Sequence, residues 1–375
     1  MTPTAIDRSL WEEARPPLHL PRLSGRAVAD VCVVGLGGSG LSAILESLEI
    51  GRTVVGIDAR QVAAGAAGRN GGFLLAGTAA FYHEAVRRYG RARARRLYEM
   101  TLAEIERFLR EAPALVRRTG SLRIAASPEE LQDCRLQFDA MREDELPVEI
   151  YEGLEGSGLL MPSDAVFDPL GRCQALARWC LDGGGQLFEA TTAESIARGE
   201  VRTPGGQIAC ESVVVAVDGR IERILPELGQ FVRTARLQMI GTAPTKEVSL
   251  PRPVYTRWGF DYWQQLPDGR IVLGGLRDRF EQAEWTPADG ISAEVQEALE
   301  HYLRHRLRVH APITHRWAAS AGYTSSGLPF LGEVRPGVWA TGGYSGTGNL
   351  MGSLWGRAAA RMAAGEAPDA ALVLQ

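Results

Sequence analysis

The chain has 375 residues, of which 45% are hydrophobic and 23% charged, so it is ordinary for a globular protein and long enough for two domains. A formal net charge of −4 does not suggest a nucleic-acid-binding surface. No hydrophobic run reaches the length of a membrane span, and residues 1–23 are polar and proline-rich, unlike a signal peptide. We therefore expect a cytoplasmic protein with no nucleic-acid partner and no membrane span.

The first predicted elements form a strand–helix–strand unit. Residues 30–34 are a short apolar run of the kind found in buried parallel strands. A glycine-rich loop follows, then a helical pattern that ends at Gly51, and a second strand over 53–57 that ends at Asp58. The G-x-G-x-x-G motif alone is a weak indication of nucleotide binding. The strand before it, the helix after it and the acidic residue after the next strand strengthen the prediction.

The spacing of the glycines in this loop is typical of dinucleotide binding. Gly35 allows the tight turn, Gly37 lets the backbone approach a pyrophosphate, and Gly40 lets helix and strand pack closely. The helix N-terminus offers free N–H groups to the phosphates, and Asp58 is placed to accept hydrogen bonds from a ribose. The motif does not distinguish NAD from FAD.

The remaining elements follow in chain order. Helices are predicted at 84–118, from Ser127-Pro128 onward, at 169–183, at 292–309 and at 349–364. Strands are predicted at 186–189, 208–217, 236–241, 260–266, 270–275 and 338–341, with Pro267-Asp268-Gly269 as a hairpin turn.

Two further glycine-rich segments favour FAD over NAD. Residues 66–72 follow Asp58 closely, and residues 342–349 open the last predicted helix. A flavin ring must be held by backbone groups, which NAD does not require. A helix N-terminus aimed at the N1–C2=O edge also stabilises the negative charge of the reduced ring.

Metal binding is not expected. The five cysteines are scattered without ligand spacing, and their odd number argues against a disulfide framework. His301 and His305 lie four residues apart on a predicted helix, but without an acidic partner a solvated helix face is the better interpretation.

Several segments in this order resemble the D-amino-acid oxidase (DAO-type) FAD-dependent oxidoreductases, which include sarcosine, glycine and γ-glutamylputrescine oxidases. The matching segments are 29–40, 68–72, 262–270, 327–332 and 343–348. The Gly-Arg-Asn-Gly-Gly element at 68–72 and the leader Ser9-Leu10-Trp11 look most like the γ-glutamylputrescine oxidase branch.

The resemblance implies an α/β (α+β) fold with a Rossmann-like FAD-binding domain and a second, mixed-sheet substrate domain, discontinuous in sequence. The FAD domain would comprise 1–90, 150–225 and 318–375, and the substrate domain 91–149 and 226–317. The residues expected to bind FAD are Gly35, Gly37, Gly38, Ser39, Gly40, Asp58, Ala59, Arg60, Ala67, Arg69, Asn70, Gly71, Gly72, Ala193, Gly346, Thr347, Gly348 and Asn349.

Three departures from the family bear on function. Residues 318–326 lack the cysteine to which sarcosine oxidases attach FAD, so FAD is expected to be non-covalent. Ala321 and Ser345 stand where glycine oxidases place arginines that clamp the substrate carboxylate. The strand at 270–275 has no lysine of the kind that promotes oxygen reactivity in some oxidases.

The predicted activity is oxidation of the C–N bond of a primary or secondary amine, or of an N-substituted amino acid, by hydride transfer to flavin N5, giving an imine that hydrolyses. The residues expected to line the substrate pocket are Tyr255, Tyr262, Arg277 and Tyr344, although core packing explains each tyrosine equally well and a surface ion pair explains Arg277. Arg233, Arg236 and Arg277 are candidates to meet a more distant substrate carboxylate. The alternatives are an amino- or imino-acid dehydrogenase that passes electrons to a carrier instead of oxygen, and a non-catalytic flavoprotein binding module.

Overall fold

The computed structural model describes residues 5–373, with the side chains of Ala5 and Ile6 left aside. The α-helices in this part of the chain are α1 (Leu10–Ala14), α2 (Gly38–Glu49), α3 (Ala66–Arg69), α4 (Tyr82–Tyr89), α5 (Arg91–Glu111), α6 (Pro128–Glu143), α7 (Pro169–Asp182), α8 (Ile221–Ile224), α9 (Glu281–Glu284), α10 (Ala293–His305) and α11 (Gly348–Ala363). None of these helices is long and apolar enough to cross a membrane.

The strands of the described residues are β1 (Ala5–Ile6), β2 (Gly25–Val28), β3 (Val31–Val34), β4 (Val54–Ile57), β5 (Phe73–Leu74), β6 (Val116–Arg118), β7 (Ser121–Ile124), β8 (Glu149–Gly153), β9 (Gly156–Met161), β10 (Ala165–Phe167), β11 (Gln186–Phe188), β12 (Ser195–Ala197), β13 (Glu200–Thr203), β14 (Gly206–Ala209), β15 (Ser212–Val215), β16 (Val232–Thr242), β17 (Val254–Thr256), β18 (Asp261–Gln265), β19 (Ile271–Gly275), β20 (Ile313–Thr324), β21 (Phe330–Arg335) and β22 (Val338–Gly342).

The chain forms two compact units, each built from three separate stretches of sequence. The first comprises the residues up to Ala14, Asn70–Asp168 and Arg236–Ala319. The second comprises Arg15–Arg69, Pro169–Ala235 and the residues from Ser320 onward. These bounds differ from the predicted domain limits at the residues up to Ala14, at 70–90, at 150–168 and at 318–319, which belong to the first unit, and at 226–235, which belong to the second. The assignment of FAD to one unit and substrate to the other stays a prediction.

The second unit contains a six-stranded sheet in the order β11-β4-β3-β15-β22-β21. Its central strands pair in parallel, with Val33 opposite Gly56 on one side and Val214 on the other. All four residues of β3 and of β4 are buried, as their apolar sequences predict. The predicted strand–helix–strand unit is therefore confirmed, and the glycine-rich loop lies at the carboxyl end of a parallel strand.

The first unit is built on a nine-stranded sheet in the order β1-β20-β16-β19-β18-β17-β7-β9-β8. One face of this sheet packs against α10 through a core that includes Leu122, Val254 and Trp263. On the other face, Leu159 and Met161 of β9 share a core with residues of α4, α5 and α6. The predicted hairpin between β18 and β19 is confirmed by their antiparallel pairing.

The helix predicted over 84–118 is wrong in its extent. Gly90, at φ +80°, separates α4 from α5, and α5 ends at Glu111, so Val116–Arg118 form a strand. Pro113 explains the end of the helix, because the residue before a proline is disfavoured in helical geometry. The helix predicted at Ser127-Pro128 is confirmed, and the Ser127 hydroxyl accepts a hydrogen bond from the Glu130 N–H.

Candidate cofactor and substrate site

The glycine-rich loop before α2 leaves room only for glycine at two of its positions. A Cβ on Gly35, which has φ +108°, would lie 2.7 Å from the Ala216 carbonyl oxygen. A Cβ on Gly40 would lie 1.8 Å from the Gly35 carbonyl oxygen. A Cβ on Gly37 would approach Ala67 of α3 to 3.3 Å. The loop therefore folds tightly against its own sheet and keeps its backbone bare at Gly37.

The start of α2 presents unsatisfied backbone donors. Within the described residues, the N–H groups of Gly37, Gly38, Ser39 and Gly40 have no protein acceptor, and the helix has no side-chain cap. Consecutive free N–H groups at a helix N-terminus bind phosphate oxygens, with the helix dipole adding attraction for negative charge. This arrangement fits the pyrophosphate of a dinucleotide such as FAD.

Asp58, directly after β4, braces the same loop. Its carboxylate accepts hydrogen bonds from the Leu36 N–H at 2.9 Å and the Arg60 N–H at 2.8 Å. Desolvation raises the pKa of Asp58, while the two N–H donors oppose that rise. Ala59 and Arg60 are exposed beside it, and Ala193 is half-buried on a loop that Thr191 ties to the Asp58 carbonyl. Arg69 is buried at the end of α3.

The second predicted cofactor segment joins the first through a hydrogen bond. The Tyr344 hydroxyl donates to Ser39 Oγ at 2.6 Å, and Tyr344 is buried. α11 packs on α2 so closely that a Cβ on Gly356 would lie 2.2 Å from the Ser39 carbonyl oxygen. Gly348, at the start of α11, lies against the Tyr344 ring. The N-termini of α2 and α11 are thus neighbours within the second unit.

The turn before α11 is closed by Thr347. Its N–H and its hydroxyl both bond the Tyr344 carbonyl, the hydroxyl at 2.7 Å. Gly346 supplies the positive φ of +90° in this turn, and Asn349 lies in the first turn of the helix. The predicted residues Gly346–Asn349 therefore form one compact turn at a helix N-terminus.

The predicted cofactor residues Asn70, Gly71 and Gly72 belong to the first unit. Asn70 Oδ1 accepts from the Gly72 N–H at 2.9 Å, and the Asn70 carbonyl accepts from the Trp11 indole N–H at 2.9 Å. The Gln264 side-chain amide donates to the Gly71 carbonyl. The leader and β18 therefore hold this loop from two sides.

The predicted substrate residues of the first unit have different surroundings. Tyr262 on β18 stacks edge-on against Phe73, with ring centroids 5.9 Å apart. Tyr255 is buried on β17, and its hydroxyl accepts two hydrogen bonds from Arg123. Arg277 is half-buried after β19, with its guanidinium 4.8 Å from the Trp285 ring centroid. These three side chains are therefore spread over the sheet and its following loop.

Two charged residues at structural junctions were not selected from the sequence. Asp218 accepts hydrogen bonds from the N–H groups of Gly322, Gly343 and Tyr344, which ties the end of β15 to the turn before α11. Desolvation raises the pKa of Asp218 to about 6. Its position three residues after the end of a buried parallel strand, close to the arrangement of Asp58, was a usable signal. Arg123, inside the short strand β7, gave no such signal.

The described residues contain no cluster of histidine, cysteine, aspartate and glutamate side chains suited to a metal ion. His301 and His305 lie on α10 with their ring centroids 4.2 Å apart.

Comparison with known proteins shows the family. The model of the DAO family, FAD dependent oxidoreductases, matches residues 30–362. The probable oxidoreductase OrdL of Rhizobium meliloti is 27% identical over 395 residues, covering 97% of this chain and 90% of that protein. The gamma-glutamylputrescine oxidoreductase of Escherichia coli is 26% identical over 377 residues, covering 92% and 86%. The glycine oxidase of Geobacillus kaustophilus has the same fold, with a TM-score of 0.76 at 20% identity over 92% of this chain and 96% of its own.

These findings confirm the resemblance and the α/β fold class inferred from the sequence, and they make the protein an FAD-dependent enzyme. The non-catalytic binding module considered above is therefore set aside. The chain belongs to the DAO family of FAD-dependent oxidoreductases, whose members act on amines and amino acids.

Proposed function

We propose that this enzyme oxidises the C–N bond of a primary or secondary amine whose reacting carbon carries no clamped carboxylate. The proposal rests on the side chains at two positions of the second unit, Ala321 and Ser345. Ala321 is buried and apolar, and the buried Ser345 hydroxyl is bonded to the Gly343 carbonyl and the Thr324 N–H. Neither can pair with a carboxylate, and leaving such a charge unpaired out of water costs several kcal/mol.

In the second unit, the residues that suit FAD either have free backbone N–H groups or hold the glycine-rich loop in place. Gly37–Gly40 would take the pyrophosphate, and Asp58 would receive a ribose hydroxyl. Tyr344, whose hydroxyl bonds Ser39, would hold the two helix N-termini at a fixed separation. We therefore propose a positioning role for Tyr344 instead of a place in the substrate pocket.

When bound, FAD supplies hydride acceptance at its N5 atom. The amine must bind neutral, because an ammonium has no lone pair to assist C–H cleavage. Loss of the hydride and of the N–H proton leaves an imine, which water hydrolyses. The chain's own contribution is to orient the amine and exclude water, a role that suits Tyr262 and the buried Tyr255.

A relative of known name and the arginines of this chain bear on the groups that the substrate carries far from its reacting carbon. The E. coli relative is named for gamma-glutamylputrescine, an amine with a carboxylate far from the reacting carbon. Of the three arginines considered from the sequence, Arg236 is bonded to Glu284 at 2.7 Å and is thus already neutralised.

An anaerobic screen of amines and amino acids for loss of flavin absorbance tests the proposal. Steady-state kcat/KM should then be compared for glycine, sarcosine, D-alanine, putrescine and γ-glutamylputrescine. We expect the amines without an α-carboxylate to give the highest values. A preference for the simple α-amino acids would overturn the proposal.

A dehydrogenase that uses an electron carrier is the second candidate, and one observation favours it. The chain's one lysine, Lys246, is exposed on a loop, and β19 has none. Stopped-flow reoxidation of the reduced enzyme separates the candidates. Slow reaction with oxygen and rapid reaction with an artificial carrier would favour the dehydrogenase, whereas rapid hydrogen peroxide formation would favour the oxidase.

A further inference from the structure

Arg123 is a buried cation whose hydrogen-bond partners are all neutral. It lies on β7 and is 8% exposed. Its Nε and Nη2 donate to the Tyr255 hydroxyl at 3.0 and 2.8 Å, and its Nη1 donates to Gln137 Oε1 at 3.0 Å. No carboxylate of the described residues lies within ion-pair distance. The Phe81 ring, 4.0 Å from the guanidinium carbon, and the buried Asp164 carboxylate, which attracts the guanidinium through space, compensate the charge in part without forming an ion pair.

A count of N–H groups shows that the Arg123 guanidinium has hydrogen-bond donors left over. Arginine has five N–H groups, and the three hydrogen bonds above use one on each nitrogen. One N–H therefore remains on Nη1 and one on Nη2. Either remaining N–H can donate a charge-assisted hydrogen bond to a carboxylate oxygen.

A small cavity adjoins Arg123. Its volume of about 10 Å³ is close to what one ordered water requires. Tyr98 and Gln137 also line it. A space of this size beside a cation and a phenol takes one water-sized group, so it admits a single carboxylate oxygen and excludes a phosphate or sulfate.

The sheet register places Arg123 in one row with the predicted substrate residues. Arg123 pairs with Tyr255, Tyr255 with Tyr262, and Tyr262 with Gly274. Directly paired residues point to the same side of a sheet. Their sequence neighbours Leu122, Val254 and Trp263 point to the other side, into the core with α10. Two strand spacings, about 10 Å, separate Arg123 from Tyr262 along this row.

We propose that Arg123, held by Tyr255, binds a carboxylate that the amine substrate carries at a distance from its reacting C–N bond. The inference rests on the proposed function, since it names the substrate class of that same reaction. It assigns specificity to a residue of β7 and gives Tyr255 the role of positioning the guanidinium. The preferred substrate is thus an amine with a remote carboxylate.

The test compares two amines of equal length, one ending in a carboxylate and the other in the matching carboxamide. For the wild-type enzyme, kcat/KM should be at least about tenfold higher for the carboxylate. In Arg123→Gln this ratio should fall towards one. In Arg316→Gln, a matched change at a half-buried arginine of the same sheet that is bonded to Glu300, the ratio should persist. A wild-type ratio near one, or a ratio kept in folded Arg123→Gln, would overturn the inference.

A binding measurement keeps the test independent of turnover and of variant folding. Butyrate should raise the thermal midpoint of the wild-type holoenzyme more than butyramide or chloride at equal concentration. If butyrate binds but no amine is oxidised, the proposed reaction fails while the carboxylate site stands. Stabilisation by chloride equal to that by butyrate would assign the cavity to a free anion and overturn the inference.

Discussion

Tyr344 and Ser39, separated by 305 positions in the sequence, share a buried hydrogen bond of 2.6 Å. They belong to different glycine-rich segments: Ser39 lies in the first turn of α2, and Tyr344 lies in the turn that precedes α11. The bond therefore fixes the distance between two backbone surfaces that both suit parts of one extended cofactor. Burial raises the pKa of the Tyr344 hydroxyl, which keeps it protonated and able to donate.

Replacing Tyr344 with phenylalanine should weaken FAD binding by about two- to tenfold, the value of one buried neutral hydrogen bond. Titration of the apoprotein with FAD measures the change. Ser39→Ala completes a double-mutant cycle. The two losses of FAD affinity should not add in the double variant, because both single changes remove the same hydrogen bond. Additive losses would show that the bond does not couple the two segments.

Asp58→Ala should lower both FAD affinity and the stability of the apoprotein. The carboxylate holds the Leu36 and Arg60 N–H groups in the protein alone, so its loss frees the loop before any cofactor arrives. We expect FAD binding to weaken about tenfold or more, as for loss of a charge-assisted hydrogen bond. Asp182→Ala, at an exposed carboxylate that ends α7 of the same unit, is the control. Unchanged FAD affinity in Asp58→Ala would exclude it as the ribose ligand.

The local elements were predictable where one short stretch determines them. The buried strands β3 and β4, the loop between them and the Ser127 cap all follow from residues within a few positions of each other. Asp58 also follows, since a polar residue at the carboxyl end of a buried parallel strand points to a site.

The contacts that could not be predicted from the sequence depend on pairing between distant strands and loops. The partners of Asp218 lie more than 100 positions away, at Gly322 and Gly343. Arg123 and Tyr255 become neighbours only through the parallel pairing of β7 with β17. Arg123 is one of forty arginines, and no local feature of the sequence marks it as buried, so its burial beside Tyr255 is evident only from the register.

FAD should be released intact when the enzyme is denatured. β20 and the residues after it up to Ser326 contain no cysteine, so the attachment point used by sarcosine oxidases is missing. After acid precipitation, the yellow colour should be recovered completely in the supernatant. Fluorescence of the protein band in a denaturing gel is the independent check, and flavin that migrates with the chain would contradict the prediction.

Asp218→Asn should change how stability depends on pH. The pKa of Asp218 is raised to about 6 from an ordinary value of 3.8, so its neutral form is favoured in the folded protein. The stability it contributes is fully present below pH 3.8 and is lost as the pH rises through about 6. Asparagine stays neutral throughout and keeps one acceptor oxygen for the N–H groups of Gly343 and Tyr344.

The free energy of unfolding of Asp218→Asn relative to the wild type should therefore rise between pH 4.5 and 6.5 and then level off. The change should be on the order of 1–2 kcal/mol, since each pKa unit is worth about 1.4 kcal/mol and partial solvation reduces it. Urea titrations across this range measure it. Asp30→Asn is the control, because hydrogen bonds from Thr53 lower the pKa of Asp30, and its contribution stays constant above pH 4.5. A flat difference for Asp218→Asn would mean that the backbone donors hold the carboxylate ionised, and that the turn before α11 is anchored by a charge.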